Sequence, residues 1–231
     1  MILNEGIQLL ILTETKHRNS QLRRVSWWCV TPRNFAAVES SRISAQSGGI
    51  CVLVDKALTY QQLVIRTNTY QCIGIKVCNA VTSYNVIAVY RQPDFAKLEF
   101  FKEFHDMLKK FLSRQSILVV YGDVNIRIDR QYELNTMHLV DKLFSVIVSQ
   151  LIDVETQING GTIDHVITRC KIENLSLDFP DPEISDHAVI TCELSDQLDY
   201  QQVRTTSCSL SISLSVRLSH ATIIYKRLNL S

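Results

Sequence analysis

Residues 116–125 read SILVVYGDVN. The run from Ile117 to Tyr121 is short, apolar and rich in β-branched residues, the composition of a strand and too brief for an ordinary helix. Gly122 ends it, and Asp123 and Asn125 follow at once. A carboxylate at the mouth of an apolar strand loses hydration, so a cation or hydrogen bonds must compensate it. The same pattern recurs along the chain. Glu14 ends the run LLILTET, Asp164 and His165 lie in TIDHVI, and Asp186 and His187 lie in ISDHAVI. Each string alone reads as a loop turn or a cap; their recurrence at strand ends points to a site.

Outward from that strand, the spacing predicts further strands at 7–12, 49–54, 61–66, 71–78, 83–90, 163–167 and 187–192. Gly48-Gly49 and Asn159-Gly160-Gly161 read as turns. The strands between 49 and 90 follow one another with no helix, which requires antiparallel or meander pairing. Two helices stand out. Over 96–112, Phe101, Phe104, Leu108 and Phe111 fall on one face, with Lys97, Lys102, Glu103, Asp106 and Lys110 largely on the other. Over 136–151, Val140, Leu143, Phe144, Ile147 and Leu151 form a second apolar stripe, and both stripes are expected to face the core. Meanders mixed with helices imply a layered α/β (α+β) domain with mixed sheets, assigned here to residues 1–195. After Leu194 the character changes. SCSLSISLSVRLS at 207–219 alternates serine with apolar residues, so 196–231 reads as a loosely attached tail or a further strand.

The 231 residues are 46% hydrophobic and 20% charged, a globular balance with length enough for a sizeable core. The net charge, 24 − 23 = +1, excludes a globally basic nucleic-acid coat protein but leaves room for a local patch. Arg18 to Arg33, interleaved with Trp27 and Trp28, is a candidate phosphate-binding arm, and the stretch from Glu173 to Asp199, acidic and without Lys or Arg, could hold a cation. No apolar run approaches the roughly 18–20 residues of a spanning helix. The first apolar stretch has no basic residues before it, so neither a membrane segment nor a signal peptide is expected. Seven cysteines, an odd number with no CxxC pair, read as free thiols in a reducing compartment, nuclear or cytoplasmic.

The donor set at the strand ends is mostly hard oxygen, without paired thiolates, and suits Mg²⁺ or Mn²⁺ rather than zinc. A divalent ion there can polarise a phosphoryl oxygen. A carboxylate beside an Asn amide can deprotonate and orient a water, and a His held by a carboxylate stays protonated and can stabilise a pentavalent phosphate.

TET at 13–15, VYRQP at 89–93, GDVN at 122–125, TIDHV at 162–166 and SDH at 185–187 resemble, in this order, the successive signatures of the endonuclease/exonuclease/phosphatase superfamily. LTET with YRQP, GDVN and TIDHVIT looks like its apurinic-endonuclease-like branch, the endonuclease domain of non-LTR retrotransposon polyproteins. The resemblance covers residues 1–195. It implies a four-layer sandwich of two packed mixed β-sheets flanked by helices, with the site at one end of the sheets. It implies that Glu14 binds metal, Tyr90 contacts the phosphate, Asp123 activates the water and Asn125 orients it. It pairs Asp164 with the catalytic His187 and makes Asp186 a second metal-linked acid. Arg91, Ser185 and Thr162 become candidates for substrate binding, and His165 a structural neighbour. Mg²⁺ or Mn²⁺ is the implied cofactor, DNA the implied partner, and a reverse-transcriptase domain belongs to the implied parent polyprotein.

One departure stands against the family pattern. Members begin with a strand whose Asn reaches the site, whereas here LTET begins at residue 12 and Asn4 falls in what reads as the end of a helix. The first strand is expected to be missing, with a bare edge on the strand carrying IQLLIL unless residues 207–216 fill the gap. Three functions follow: a metal-dependent phosphodiesterase that nicks DNA, a non-catalytic remnant that binds nucleic acid weakly, or a phosphatase on small phosphoesters. YRQP and TET argue against the third.

Overall fold

The computed structural model describes residues 7–15, 31–40, 48–78, 82–93, 97–112, 116–183, 185–198 and 210–214. Their strands form two six-stranded sheets. Numbered along the chain, the first runs β10 (Cys170–Asp178), β11 (Val189–Leu198), β12 (Leu210–Leu214), β1 (Leu9–Thr13), β3 (Ile50–Asp55) and β2 (Phe35–Ser40) from edge to edge. The second runs β4 (Thr59–Leu63), β5 (Gln71–Cys78), β6 (Ser83–Tyr90), β7 (Ser116–Asp123), β9 (Asp164–Thr168) and β8 (Ser149–Gln150). β1 pairs parallel to β12 and β6 parallel to β7, while the other pairings are antiparallel, so both sheets are mixed.

Period-two alternation builds the core between the sheets. Leu9 and Ile11 of β1, Tyr84, Val86 and Ala88 of β6, and Ile117, Val119 and Tyr121 of β7 share one buried cluster with Ile190 and Cys192 of β11. The alternate residues of β6 and β7, Ile87, Val89, Leu118 and Val120, meet Phe100, Phe104 and Leu108 of α1 (Lys97–Phe111) and Leu139 and Leu143 of α2 (Leu134–Ser145). This double burial is why β7 is apolar at every position from Ile117 to Tyr121. Each buried side chain of this size contributes about 1.5–3 kcal/mol of transfer free energy. The architecture is therefore α+β, two packed sheets with both described helices on the outer face of the second.

The structure corrects several expectations. β4 starts at Thr59 and ends at Leu63, earlier than the run 61–66. The second helix ends at Ser145, and Ile147, in left-handed backbone at φ 56°, turns the chain into β8. Its buried face is Thr136, Leu139 and Leu143; Val140, Phe144 and Ile147 face solvent, Phe144 at 83% exposure. The helix carries two adjacent apolar stripes, and packing against the sheet selects the one aligned with Leu139. The boundary expected near residue 196 falls within β11. β11 continues to Leu198, and β12 enters the sheet between β11 and β1, with Leu9 opposite Ile212 and Cys192 opposite Ile212 from the other side. The bare edge expected on β1 is thus paired. The alternating segment gives β1 and β11 partners for N–H and C=O groups that would otherwise be open.

Asn4, the helix end expected around it and the arm from Arg18 to residue 30 lie outside the described residues. Cys51, Cys72, Cys78, Cys170 and Cys192 are free thiols. Among the described residues no helix is long and apolar enough to cross a membrane.

Candidate active site

Strand register brings the strand-end residues together. Parallel pairing sets Tyr90 of β6 opposite Asp123 of β7, and antiparallel pairing sets Asp123 opposite Asp164 of β9. One rung of the second sheet therefore carries all three. The first sheet supplies Glu14, the residue after β1, and Asp186 and His187, just before β11. Hydrogen bonds between acids and their partners join the sheets at this end: the Tyr90 hydroxyl donates to Glu14 Oε1, and His187 Nδ1 lies 2.7 Å from Asp164 Oδ2, the contact that the family resemblance implies. Glu14, Tyr90, Asp123, Asp164 and His187 are all buried.

The string GDVN has a local logic. Gly122 sits at φ 144°, and a Cβ there would lie 1.8 Å from the Val89 carbonyl oxygen, so only glycine lets β7 approach β6 here. The Asn125 N–H donates to Asp123 Oδ1 at 2.8 Å, an Asx turn, with Asn125 in left-handed backbone at φ 51°. The Asn125 carboxamide donates through Nδ2 to the Arg91 carbonyl at 2.7 Å. Glu14 is also left-handed, at φ 50°. Such conformations are uncommon for non-glycine residues and cluster at functional sites.

The electrostatics follow from packing carboxylates at one sheet end. Burial, and then the charge of Asp164, pushes Asp123 up to about 8; Glu14 adds to the rise, while His187 and the Asn125 N–H oppose it. Burial alone would lower His187, but its bond to Asp164 and the charges of Asp164, Asp123 and Asp186 carry it to about 9. The imidazole is therefore a cation at neutral pH. Burial has the opposite outcome at His165, lowered to about 4. That ring is neutral, and its Nε2 lies 3.1 Å from the Ile126 carbonyl, to which it donates.

Asp123, Asp164 and His187 present potential ligand atoms within 4.8 Å of one another. The Nδ1–Oδ2 bond commits two of them, and Asp164 Oδ1 is a buried acceptor with no hydrogen-bond partner among the described residues. Three buried carboxyl groups beside one imidazolium, with the Asp164 Oδ1 donor open, fit a divalent cation, whose charge would favour their ionised forms. Glu14 and Asp186 are outside that tight trio. Asp186 is half-buried, and its Oδ2 accepts from Gln157 Nε2 at 3.3 Å.

Three solved structures share this arrangement of sheets. The endonuclease domain of TRAS1, a telomere-specific non-LTR retrotransposon, superimposes with a TM-score of 0.59 at 14% identity, over 78% of this chain and 94% of that one. An endonuclease/exonuclease/phosphatase family protein from Leptotrichia buccalis gives 0.56 at 12%, over 81% and 87%. An AP endonuclease from Archaeoglobus fulgidus gives 0.54 at 16%, over 83% and 89%. This is the endonuclease/exonuclease/phosphatase fold. No protein-family model and no curated protein matches the chain.

Within the endonuclease/exonuclease/phosphatase fold, the three residues expected to bind substrate are turned inward. Arg91 is 1% exposed, and its guanidinium donates to backbone carbonyls and lies over the Phe100 ring. Thr162 is buried and donates to the Val154 carbonyl at 2.7 Å. Ser185 is buried in a turn, where its hydroxyl accepts from the His187 N–H and donates to the His187 carbonyl. In each case the polar group is taken up by backbone groups of the loops around the acids. The sequence reading missed Thr156 and Gln157. The Thr156 hydroxyl lies 3.1 Å from the Asp164 N–H and accepts from it, and its carbonyl accepts from the Ala188 N–H, tying the two halves of the Asp164–His187 pair together. A threonine before an Asn-Gly-Gly turn carries no signal that sets it apart from a surface residue.

Proposed function

We propose that the chain is an Mg²⁺- or Mn²⁺-dependent phosphodiesterase that nicks DNA, an endonuclease domain of the kind carried by non-LTR retrotransposon polyproteins. The observation that carries this reading is the buried convergence of the Glu14–Tyr90 pair, Asp123 and the Asp164–His187 pair at one end of both sheets. Asp123, which a bound cation would hold ionised against burial and the charges of Asp164 and Glu14, takes a proton from the attacking water, and Asn125, whose Nδ2 is held by the Arg91 carbonyl, directs its other amide atom at that water. His187, kept cationic by Asp164, faces the negative charge that develops on the phosphate, and the Tyr90 phenol, which donates to Glu14 in this structure, would turn its one proton to a phosphate oxygen once a cation neutralises Glu14. Glu14 and Asp186 are the residues that would hold the metal, which supplies charge neutralisation at a phosphoryl oxygen. The likeness in fold to a retrotransposon endonuclease domain and to an AP endonuclease supports DNA as the substrate and a reverse transcriptase in the parent polyprotein. Five free thiols among the described residues support a reducing compartment, nuclear or cytoplasmic.

The test sets substrate classes against one another. Supercoiled plasmid with Mg²⁺, the same with EDTA, and small phosphomonoesters are incubated with the chain. Metal-dependent conversion to nicked circles without phosphate release is expected. Phosphate release without nicking would make it a phosphatase, and neither activity in a folded, monodisperse chain would make it a non-catalytic remnant.

A further inference from the structure

The loop that follows β7 carries Asn125, yet it has no regular structure to hold it. Its carbonyls are instead gripped one after another by side chains from three separate elements. Arg91, just beyond β6, donates through Nη1 to the Val124 carbonyl at 2.9 Å and to the Asn125 carbonyl at 3.4 Å, and through Nη2 to the Pro93 carbonyl at 3.3 Å. His165 of β9 donates from Nε2 to the Ile126 carbonyl at 3.1 Å. Thr136 of α2 donates from Oγ1 to the Arg127 carbonyl at 2.7 Å. Four successive carbonyls, from Val124 to Arg127, are thus each received by a side chain. The backbone of Arg91 completes the clamp: its N–H donates to the Asp123 carbonyl at 2.9 Å and its carbonyl receives the Asn125 carboxamide.

An arginine buried this fully is costly unless its charge meets several acceptors. Here one nitrogen of the planar fork, Nη1, meets two neighbouring carbonyls and the other, Nη2, meets that of Pro93, while the guanidinium carbon lies 5.1 Å from the Phe100 ring centroid. A lysine ammonium, a point charge on a flexible stem, cannot span the same set.

We propose that Arg91, assisted by His165, is a positioning residue that holds the Asn125 carboxamide and the Asp123 carboxylate in mutual register for the reaction. Neither side chain needs to touch substrate. This rests on the reading of Asn125 as a water-orienting group, and the experiment separates failure of that reading from failure of the clamp.

Two measurements are made on the full chain, nicking kinetics and the NMR signals of the Asn125 side-chain amide. Arg91→Lys is expected to lower kcat for nicking by about 100-fold with KM within about twofold, as for a group displaced without loss of ground-state binding. His165→Leu should act in the same direction, and His165→Gln, whose Nε2 can still donate to the Ile126 carbonyl, should restore most of the loss. The fixed, well-resolved Asn125 amide pair of the parent chain should collapse toward free-amide shifts in Arg91→Lys and His165→Leu. Full kcat in Arg91→Lys, or equal loss in His165→Leu and His165→Gln, would overturn the clamp. Should Arg91→Lys fail to fold, the pair at 165 decides. If the parent chain does not nick at all, the functional reading fails, while the Asn125 signals still report on the clamp: unchanged signals in the variants overturn it, and collapsed signals support it.

Discussion

Replacing Asp164 with Asn removes one charge from the buried pair and leaves its shape. In the structure, Asp164 Oδ2 lies 2.7 Å from His187 Nδ1, and both side chains are 1% exposed. His187 is raised from its ordinary 6.5 to about 9 despite a burial that lowers it, with Asp164 the main raising influence. That gap corresponds to roughly 3 kcal/mol favouring the imidazolium in the folded chain. A histidine raised on folding contributes stability that is fully present below about 6.5 and is lost as pH rises through about 9. The Asp164→Asn chain should therefore melt well below the parent at pH 6. The deficit should shrink by pH 9–10, and it can reverse there, because the substitution also relieves the repulsion that raises Asp123. At pH 7.5 the variant His187 becomes mostly neutral, and nicking should fall by about 10²–10⁴-fold, the range for losing a charge-stabilising partner. Melting curves at three pH values and an NMR titration of His187 are the assays. A variant His187 that still titrates near 9, or a melting deficit independent of pH, would refute the reasoning.

Gly122→Ala should fail to fold or lose at least about 3 kcal/mol, because the new Cβ meets the Val89 carbonyl oxygen and the backbone sits where alanine is strained; urea titration measures it. Glu14→Gln should weaken Mn²⁺ binding by about 10–100-fold, read by electron paramagnetic resonance of the free ion, with little change in melting. Leu143→Ala should cost about 2–5 kcal/mol and Phe144→Ala less than about 0.5, since the first side chain is buried and the second is in solvent. Equal losses at 143 and 144 would mean that the helix is rotated from its described orientation.

Much of the sheet architecture is legible because its signals are local. The run Ile117 to Tyr121 is apolar at every position since β7 is covered on both faces, and the acids that follow it need compensation wherever the chain goes. Asp164 and His187 are 23 residues apart, and their pairing follows only from the resemblance, since nothing in composition or spacing joins them. The backbone partners of Arg91, Thr162 and Ser185 are not legible, because a polar residue beside such a string reads the same whether it faces a ligand or a carbonyl. The stripe on α2 misled for a related reason: helical periodicity gives the angle of an apolar face, not which of two adjacent faces the sheet will take. β12 was hard to read because serine alternation fits a solvated tail as well as a strand, and only the open hydrogen-bonding groups of β1 and β11 decide between them.

The central claim is that the buried convergence at the sheet ends hydrolyses phosphodiesters with a bound divalent ion. The most direct measurement is the initial rate of plasmid nicking by the purified chain and by Asp123→Asn, each titrated with Mg²⁺. Saturable, Mg²⁺-dependent nicking in the parent is expected, with a loss of about 10²-fold or more in Asp123→Asn at unchanged melting temperature. Equal nicking by the two chains, or nicking that persists in EDTA, would contradict it.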